Sequence, residues 1–216
     1  MIQRLYDRID TENSKFGYIH YIPEYSNSII SDCNQLEFKT LYSCIIIQLW
    51  EYGIDFSPVK NLDKLKSHLE NRPSDNEIEK LSEWKLFVNG FFGIIYRTDA
   101  ELANLISGYA HQVLIELFNH NSNIIYMDTD AIYYTGGINM LDIDLPYRIN
   151  KLKYFFITGK KKIIRMLDDG EIQIRGFHKH DKKNIEIAGK EFSPNDIVAT
   201  MKAKNRDEQI DNILNN

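Results

Sequence analysis

Asp128-Thr129-Asp130 lies between Ile124-Ile125-Tyr126-Met127 and Ala131-Ile132-Tyr133-Tyr134. β-Branched and aromatic runs on both sides of a short acidic triplet read as a β-hairpin with two carboxylates at its tip. Acidic residues weaken strands, so an Asp-x-Asp held between two good strands suggests a cation partner. Oxygen-only ligands on a rigid turn suit Mg²⁺, which keeps waters and takes further ligands from substrate phosphates. Taken alone, the triplet fits an ordinary polar turn by default, so its company in the sequence decides.

A second group of residues is basic. The net charge of the 216-residue chain is −5, yet Arg148 to Lys183 holds eleven Lys and Arg against four Asp and Glu. Lys151, Lys153, Lys160, Lys161, Lys162, Arg165 and Arg175 belong to this stretch. A basic patch on an acidic body is the footprint of a polyanion-binding surface, although charge alone also fits a solvated lysine face.

Bulk composition, at 43% apolar and 26% charged, is that of a folded domain. The length suits one domain, or one with an appendage. No apolar run reaches membrane-spanning length; Cys44-Ile45-Ile46-Ile47 has the size of a core strand. The opening Met1-Ile2-Gln3-Arg4-Leu5 has no secretory apolar region, so export is not expected. Two cysteines, Cys33 and Cys44, indicate neither a zinc site nor a disulfide framework. The abundance of Ile, Asn, Lys and Tyr suggests an AT-rich coding sequence, as in a mitochondrion or other organelle, a plasmid, a phage or a low-GC bacterium.

Elements that would position these groups follow from periodicity. Tyr18 to Ile22 reads as a short strand, and Leu36 to Ile47 as a buried strand leading into a helix, with Pro58 ending that unit. Leu62, Leu65 and Leu69 mark a helix over 60–71. Ser74 or Asp75 is placed to cap a second helix from Glu77 to about Phe91. A third runs from about Thr98 to Asn119 on the stripe Leu102, Ile106, Tyr109, Val113 and Leu117. Asp142 to Pro146 is a loop. Strands are expected at 153–157, 163–167 and 172–174, with the Gly159-Lys160-Lys161-Lys162 turn between the first two, and a helical tail from Ser193.

Three further segments surround the acidic hairpin in a telling order. They are Glu37-Phe38-Lys39-Thr40-Leu41-Tyr42-Ser43-Cys44-Ile45-Ile46, Lys85-Leu86-Phe87-Val88-Asn89-Gly90-Phe91-Phe92-Gly93, and Gly159-Lys160-Lys161-Lys162-Ile163 followed by Ile174-Arg175-Gly176. Together with Tyr126-Met127-Asp128-Thr129-Asp130 they resemble the polymerase core of family B DNA polymerases, in particular the protein-primed branch of phages and linear plasmids. That family carries D-x-x-S-L-Y-P-S-I-I, K-x-x-x-N-S-x-Y-G, Y-x-D-T-D-S and K-x-Y in this order. The resemblance spans roughly Gln35 to Phe177.

Nucleotidyl transfer uses two cations about 3.5–4 Å apart, one activating a hydroxyl and one stabilising the leaving pyrophosphate. Carboxylates from separate strands can bridge such a pair, and Asp130 and Glu37 are the candidates. By resemblance, Asp130 and Glu37 are the direct metal ligands and Asp128 stands behind them or acts through water. Lys85 and Asn89, four residues apart, share a helix face. The resemblance implies that Lys85 meets the incoming triphosphate. It also implies that Tyr42 packs beneath the sugar, that Phe92 borders the nascent base pair, and that Lys160, Lys161, Lys162 and Arg175 hold the primer–template backbone. Two Mg²⁺ ions, dNTPs and primer–template DNA would be the cofactors and ligands, with a terminal protein or a separate exonuclease chain as possible partners and no membrane.

Several positions depart from the family pattern. Glu37 stands for Asp and is one methylene longer, a displacement of about 1 Å that can cost on the order of 10²-fold in rate. Ser43 replaces proline, Gly90 serine, Phe92 tyrosine, Ala131 serine, and Ile163 the tyrosine of the lysine element. The 36 residues before Glu37 hold no acidic exonuclease motif, so an exonuclease domain is not expected. The resulting expectation is an α+β palm with an antiparallel sheet carrying Glu37 and Asp130, backed by the 98–119 helix, with short two-helix fingers and a truncated thumb. Its division is an N-terminal segment 1–35, palm 36–59, fingers 60–92, palm 93–177, and a thumb remnant 178–216. The function implied is template-directed DNA synthesis. The alternatives are a catalytically decayed polymerase remnant or a palm that binds DNA without polymerising, and an unrelated protein whose two carboxylates lie far apart.

Overall fold

The computed structural model describes residues 19–57, 59–74, 76–177, 185–187 and 190–214. Pro58, Asp75, and the segments 1–18 and 178–184 within the expected N-terminal and thumb regions lie outside the described residues. Along the chain come β1 (Ile19–Tyr21), a 3-10 turn (Pro23–Tyr25), β2 (Ile29–Phe38), α1 (Leu41–Glu51), α2 (Leu62–Glu70), α3 (Ile78–Thr98) and α4 (Ala100–His120). Then follow β3 (Ile124–Asp128), β4 (Ala131–Thr135), β5 (Tyr147–Gly159), β6 (Lys162–Leu167), β7 (Ile172–Arg175), β8 (Ile185–Ile187), β9 (Lys190–Phe192) and α5 (Pro194–Leu214). These elements form two compact units.

The helical unit comprises Phe38–Ser122 and Asn139–Arg148. Cys44–Ile47, strand-like by composition, lies inside α1. The helix buries Leu41, Ser43, Ile45, Ile46, Ile47 and Leu49, so packing overrides the β-branched preference for strand. Helices α1, α2, α3 and α4 pack on one another, and the Trp84 indole N–H donates to the His68 carbonyl at 2.5 Å, tying α3 to α2. Helix α3 runs to Thr98, well past Phe91, because Ile95 is fully buried beyond the glycines. A single residue, Asp99, then ends α3 and caps α4, its carboxylate accepting from the Leu102 amide at 3.0 Å. At the start of α3 the N-cap is Glu77 rather than Ser74, and no side chain caps it. Ser74 instead binds the Glu77 carboxylate through its amide and hydroxyl, at 3.2 and 3.1 Å.

The sheet unit comprises Ile19–Glu37, Asn123–Ile138 and the chain from Ile149 onward. Its main sheet has seven strands in the order β1-β3-β4-β2-β5-β6-β7. Every strand pair with a described register is antiparallel. Strands β3 and β4 are buried over four consecutive residues each, which suits their inner position. One face is packed by Tyr154, Phe156, Ile164 and Met166 against Ile185 of β8 and Ile197 and Met201 of α5. The opposite core holds Cys33, Tyr126, Ala131, Tyr133, Leu152, Phe155, Ile157 and Ile163. A register shift between Leu152 and Tyr154 places Leu152 in the same core as Phe155 and Ile157, as a β-bulge does. No described helix is long and apolar enough to cross a membrane.

Candidate active site

The hairpin forms as its residues require. Asp128 and Ala131 are the last paired residues of β3 and β4, leaving Thr129 and Asp130 as the two-residue loop. Thr129 has φ +57°, a left-handed conformation that β-branched residues rarely adopt. The loop is drawn tight by the Asp130 amide donating to the Asp128 carbonyl at 2.6 Å. The Thr129 hydroxyl also donates to Asp128 Oδ1 at 3.0 Å. Strain of this kind concentrates at functional positions, where the surrounding structure holds it in place.

Strand β4 brings the third carboxylate in. Glu37 on β2 pairs with Ala131 from one side, and Asp128 on β3 pairs with Ala131 from the other. Paired residues share a sheet face, and their Cα atoms sit about 4.5–5.5 Å apart. Glu37, Ala131 and Asp128 therefore point the same way, with Asp130 at the adjoining turn. This adjacency removes the reading in which Glu37 and Asp130 lie far apart. Burial, then the Glu37 and Asp128 carboxylates, push the Asp130 carboxyl up to about 6, with its own backbone and Arg175 acting in the other direction.

Among the described residues, no three His, Cys, Asp or Glu side chains converge closely enough to hold a metal ion by themselves. The donor set nevertheless fits Mg²⁺, which takes one or two carboxylates and completes its shell with waters and phosphates. Mutual repulsion among the carboxylates is also what a dication at this edge would relieve.

The basic turn is pinned beside the hairpin within the same unit. The Lys161 amide donates to the Tyr126 hydroxyl at 3.1 Å, joining the β5–β6 turn to β3. Burial, followed by the Asp128 carboxylate, pushes the Tyr126 phenol well above its ordinary range. On the other side the Gly176 backbone comes so close that a Cβ there would lie 1.8 Å from the Lys161 carbonyl oxygen. Gly176 has φ +77°, so both conformation and space demand glycine. Lys160, Lys161 and Arg175 are exposed, and Lys162 is half-buried with its ammonium 5.8 Å from the Phe177 ring centre.

In the helical unit, Tyr42 of α1 stacks on Phe92 of α3, with ring centres 4.5 Å apart and planes inclined by 27°. Two residues singled out from separate sequence segments therefore meet. Lys85 and Asn89 lie on the exposed side of α3. The Ser43 hydroxyl, buried, donates to the Val88 carbonyl at 2.7 Å, so the residue standing for proline ties α1 to α3. Gly90 has open space where a side chain would lie. Sequence reasoning gave no role to Tyr126, Ser43 or Gly176. Only the tyrosine preceding the acidic triplet and the glycine after the basic turn offered a signal.

No protein-family model matches the sequence, and no curated protein does. Solved structures do match. The family B DNA polymerase of the hyperthermophilic archaeon Pyrobaculum calidifontis aligns over 73% of this chain and 29% of its own, with TM-score 0.52 and 19% identity. The phi29 DNA polymerase in complex with primer–template DNA aligns over 81% of this chain and 55% of its own, with TM-score 0.51 and 11% identity. The same enzyme with single-stranded DNA gives 86% and 51%, with TM-score 0.52 and 12% identity. The chain thus spans between 29% and 55% of the length of these polymerases. Its fold is that of part of a family B DNA polymerase.

Proposed function

We propose that the chain carries out template-directed DNA synthesis by two-metal nucleotidyl transfer. The observation that carries this reading is the flanking of Ala131 by Glu37 and Asp128 on one sheet face, with Asp130 at the adjoining turn. In this proposal Asp130 and Glu37 hold Mg²⁺, and Asp128 supports them from the next strand. When bound, the two ions would lower the pKa of a primer 3′-hydroxyl and offset charge on the leaving pyrophosphate. Lys85 and Asn89 would receive the triphosphate, where a fixed positive charge meets developing negative charge. The Tyr42–Phe92 stack would form the floor under sugar and base. Lys160, Lys161, Lys162 and Arg175 would hold the duplex backbone by salt-sensitive contacts. The sheet unit would be the palm and helices α2 and α3 the fingers.

A second reading, a palm that binds DNA without polymerising, has support in Glu37. Its extra methylene and the lack of a converged three-ligand cluster among the described residues both weaken metal placement. Primer extension with purified chain, labelled primer–template, dNTPs and Mg²⁺ separates the two. Incorporation that vanishes in Asp130→Asn and rises in Glu37→Asp supports the enzyme. Salt-dependent DNA binding with no Asp130-dependent incorporation supports the binding palm.

A further inference from the structure

Arg165 on β6 is 5% exposed, and among the described residues it contacts no carboxylate. Its guanidinium instead reaches three other strands through neutral acceptors. Nε and Nη2 donate to Gln173 Oε1 on β7 at 3.0 and 2.5 Å. Nη1 crosses β5 to donate to Gln35 Oε1 on β2 and, at 3.2 Å, to the Tyr133 hydroxyl on β4. Asn150 adds a bond to the same Gln35 oxygen at 3.2 Å. Gln35 is 1% exposed, and the Tyr133 ring is stacked on Phe155, ring centres 4.4 Å apart and planes inclined by 19°.

Register gives this network its direction. Gln35 pairs with Tyr133 just as Glu37 pairs with Ala131, two residues further along the same strands. The side chains therefore share the face that carries the carboxylates. Burying a cation with no counter-charge costs several kcal/mol, which hydrogen bonds to neutral acceptors return only in part. An arginine is a costly choice here for packing alone.

We infer that Arg165 is a positioning residue for the cation site, fixing β2 and β4 at Gln35 and Tyr133 so that Glu37 and Asp130 stand at a set spacing. The inference rests on the reading that these carboxylates bind divalent cations. Groups that orient metal ligands typically change metal affinity by about 10–100-fold when removed.

The test is Mn²⁺ binding to the whole chain, followed by electron paramagnetic resonance, well below the urea unfolding midpoint of each variant. Arg165→Met keeps volume and removes the fork; Tyr133→Phe keeps the stacked ring and removes one hydroxyl. A drop of about 10-fold or more in Mn²⁺ affinity in both variants, with folding retained, supports the role. Should Arg165→Met not fold, Tyr133→Phe decides alone. Affinity within about twofold of wild type, while Asp130→Asn abolishes binding, overturns the role of Arg165 and leaves the cation site standing. Absence of Asp130-dependent Mn²⁺ binding in the wild type overturns the cation site and this role together.

Discussion

Replacing Asp130 with asparagine should stabilise the fold while abolishing cation binding. The carboxyl at position 130 rises from 3.8 to about 6 in the folded chain, through burial and the neighbouring Glu37 and Asp128 carboxylates. Its raised value means the folded state holds the proton more tightly than the unfolded state. Stability from this group is therefore present below about pH 4 and is lost as pH rises to about 6. Above that, the ionised carboxylate is a standing penalty of roughly 3 kcal/mol as an upper bound, brought to about 1–3 kcal/mol by solvent at this half-buried site. Asparagine removes the charge and keeps the shape. Urea unfolding at pH 7.5 in EDTA should show Asp130→Asn more stable by about 1–3 kcal/mol, or roughly 2–10 °C in Tm. At about pH 3 the two proteins should converge, since the aspartate is then protonated in the fold and largely protonated in the unfolded chain as well. Mg²⁺ should stabilise the wild type and leave the variant unchanged. A variant that is neutral or less stable at pH 7.5 in EDTA would refute the electrostatic account of this hairpin.

Other consequences are simpler to measure. Gly176→Ala places a methyl group against the Lys161 carbonyl in a left-handed backbone; a loss of about 2–3 kcal/mol is expected in urea unfolding. The same change should weaken duplex DNA binding by displacing the basic turn, as fluorescence anisotropy would report. Ser43→Ala removes the buried bond to the Val88 carbonyl and should cost about 1 kcal/mol; an unchanged urea midpoint would contradict this. Gly90→Ala fills open space inside α3, so thermal unfolding should show a gain of about 0.5–1 kcal/mol. Removing both charges in Lys160→Ala with Lys161→Ala should lower DNA affinity and flatten its slope against salt concentration by about two.

Local chemistry made part of this protein legible from its sequence. The acidic hairpin, the basic turn and the run of helices were readable because each rests on signals a few residues apart: β-branched runs, a glycine-led turn and apolar helical spacing. The ordered segments around the hairpin also pointed to the polymerase fold, and the solved structures bear that out at the level of fold. What neighbours in sequence cannot specify is which strand lies beside which. Glu37 and Asp130 are 93 positions apart, and only the pairing of β2 with β4 makes them neighbours. The same holds for Tyr42 against Phe92, and for Ser43 against Val88, where packing of α1 on α3 joins distant segments. It also turned Cys44–Ile47 into helix and carried α3 past two glycines, because burial of Ile45, Ile46 and Ile95 outweighs intrinsic preference. The sequence by itself determined which carboxylates, basic side chains and aromatic rings are present and which of them share one turn or one helix face. Tertiary structure alone decided that the three carboxylates share one edge of one sheet, since register is a property of strand pairs and not of any single strand.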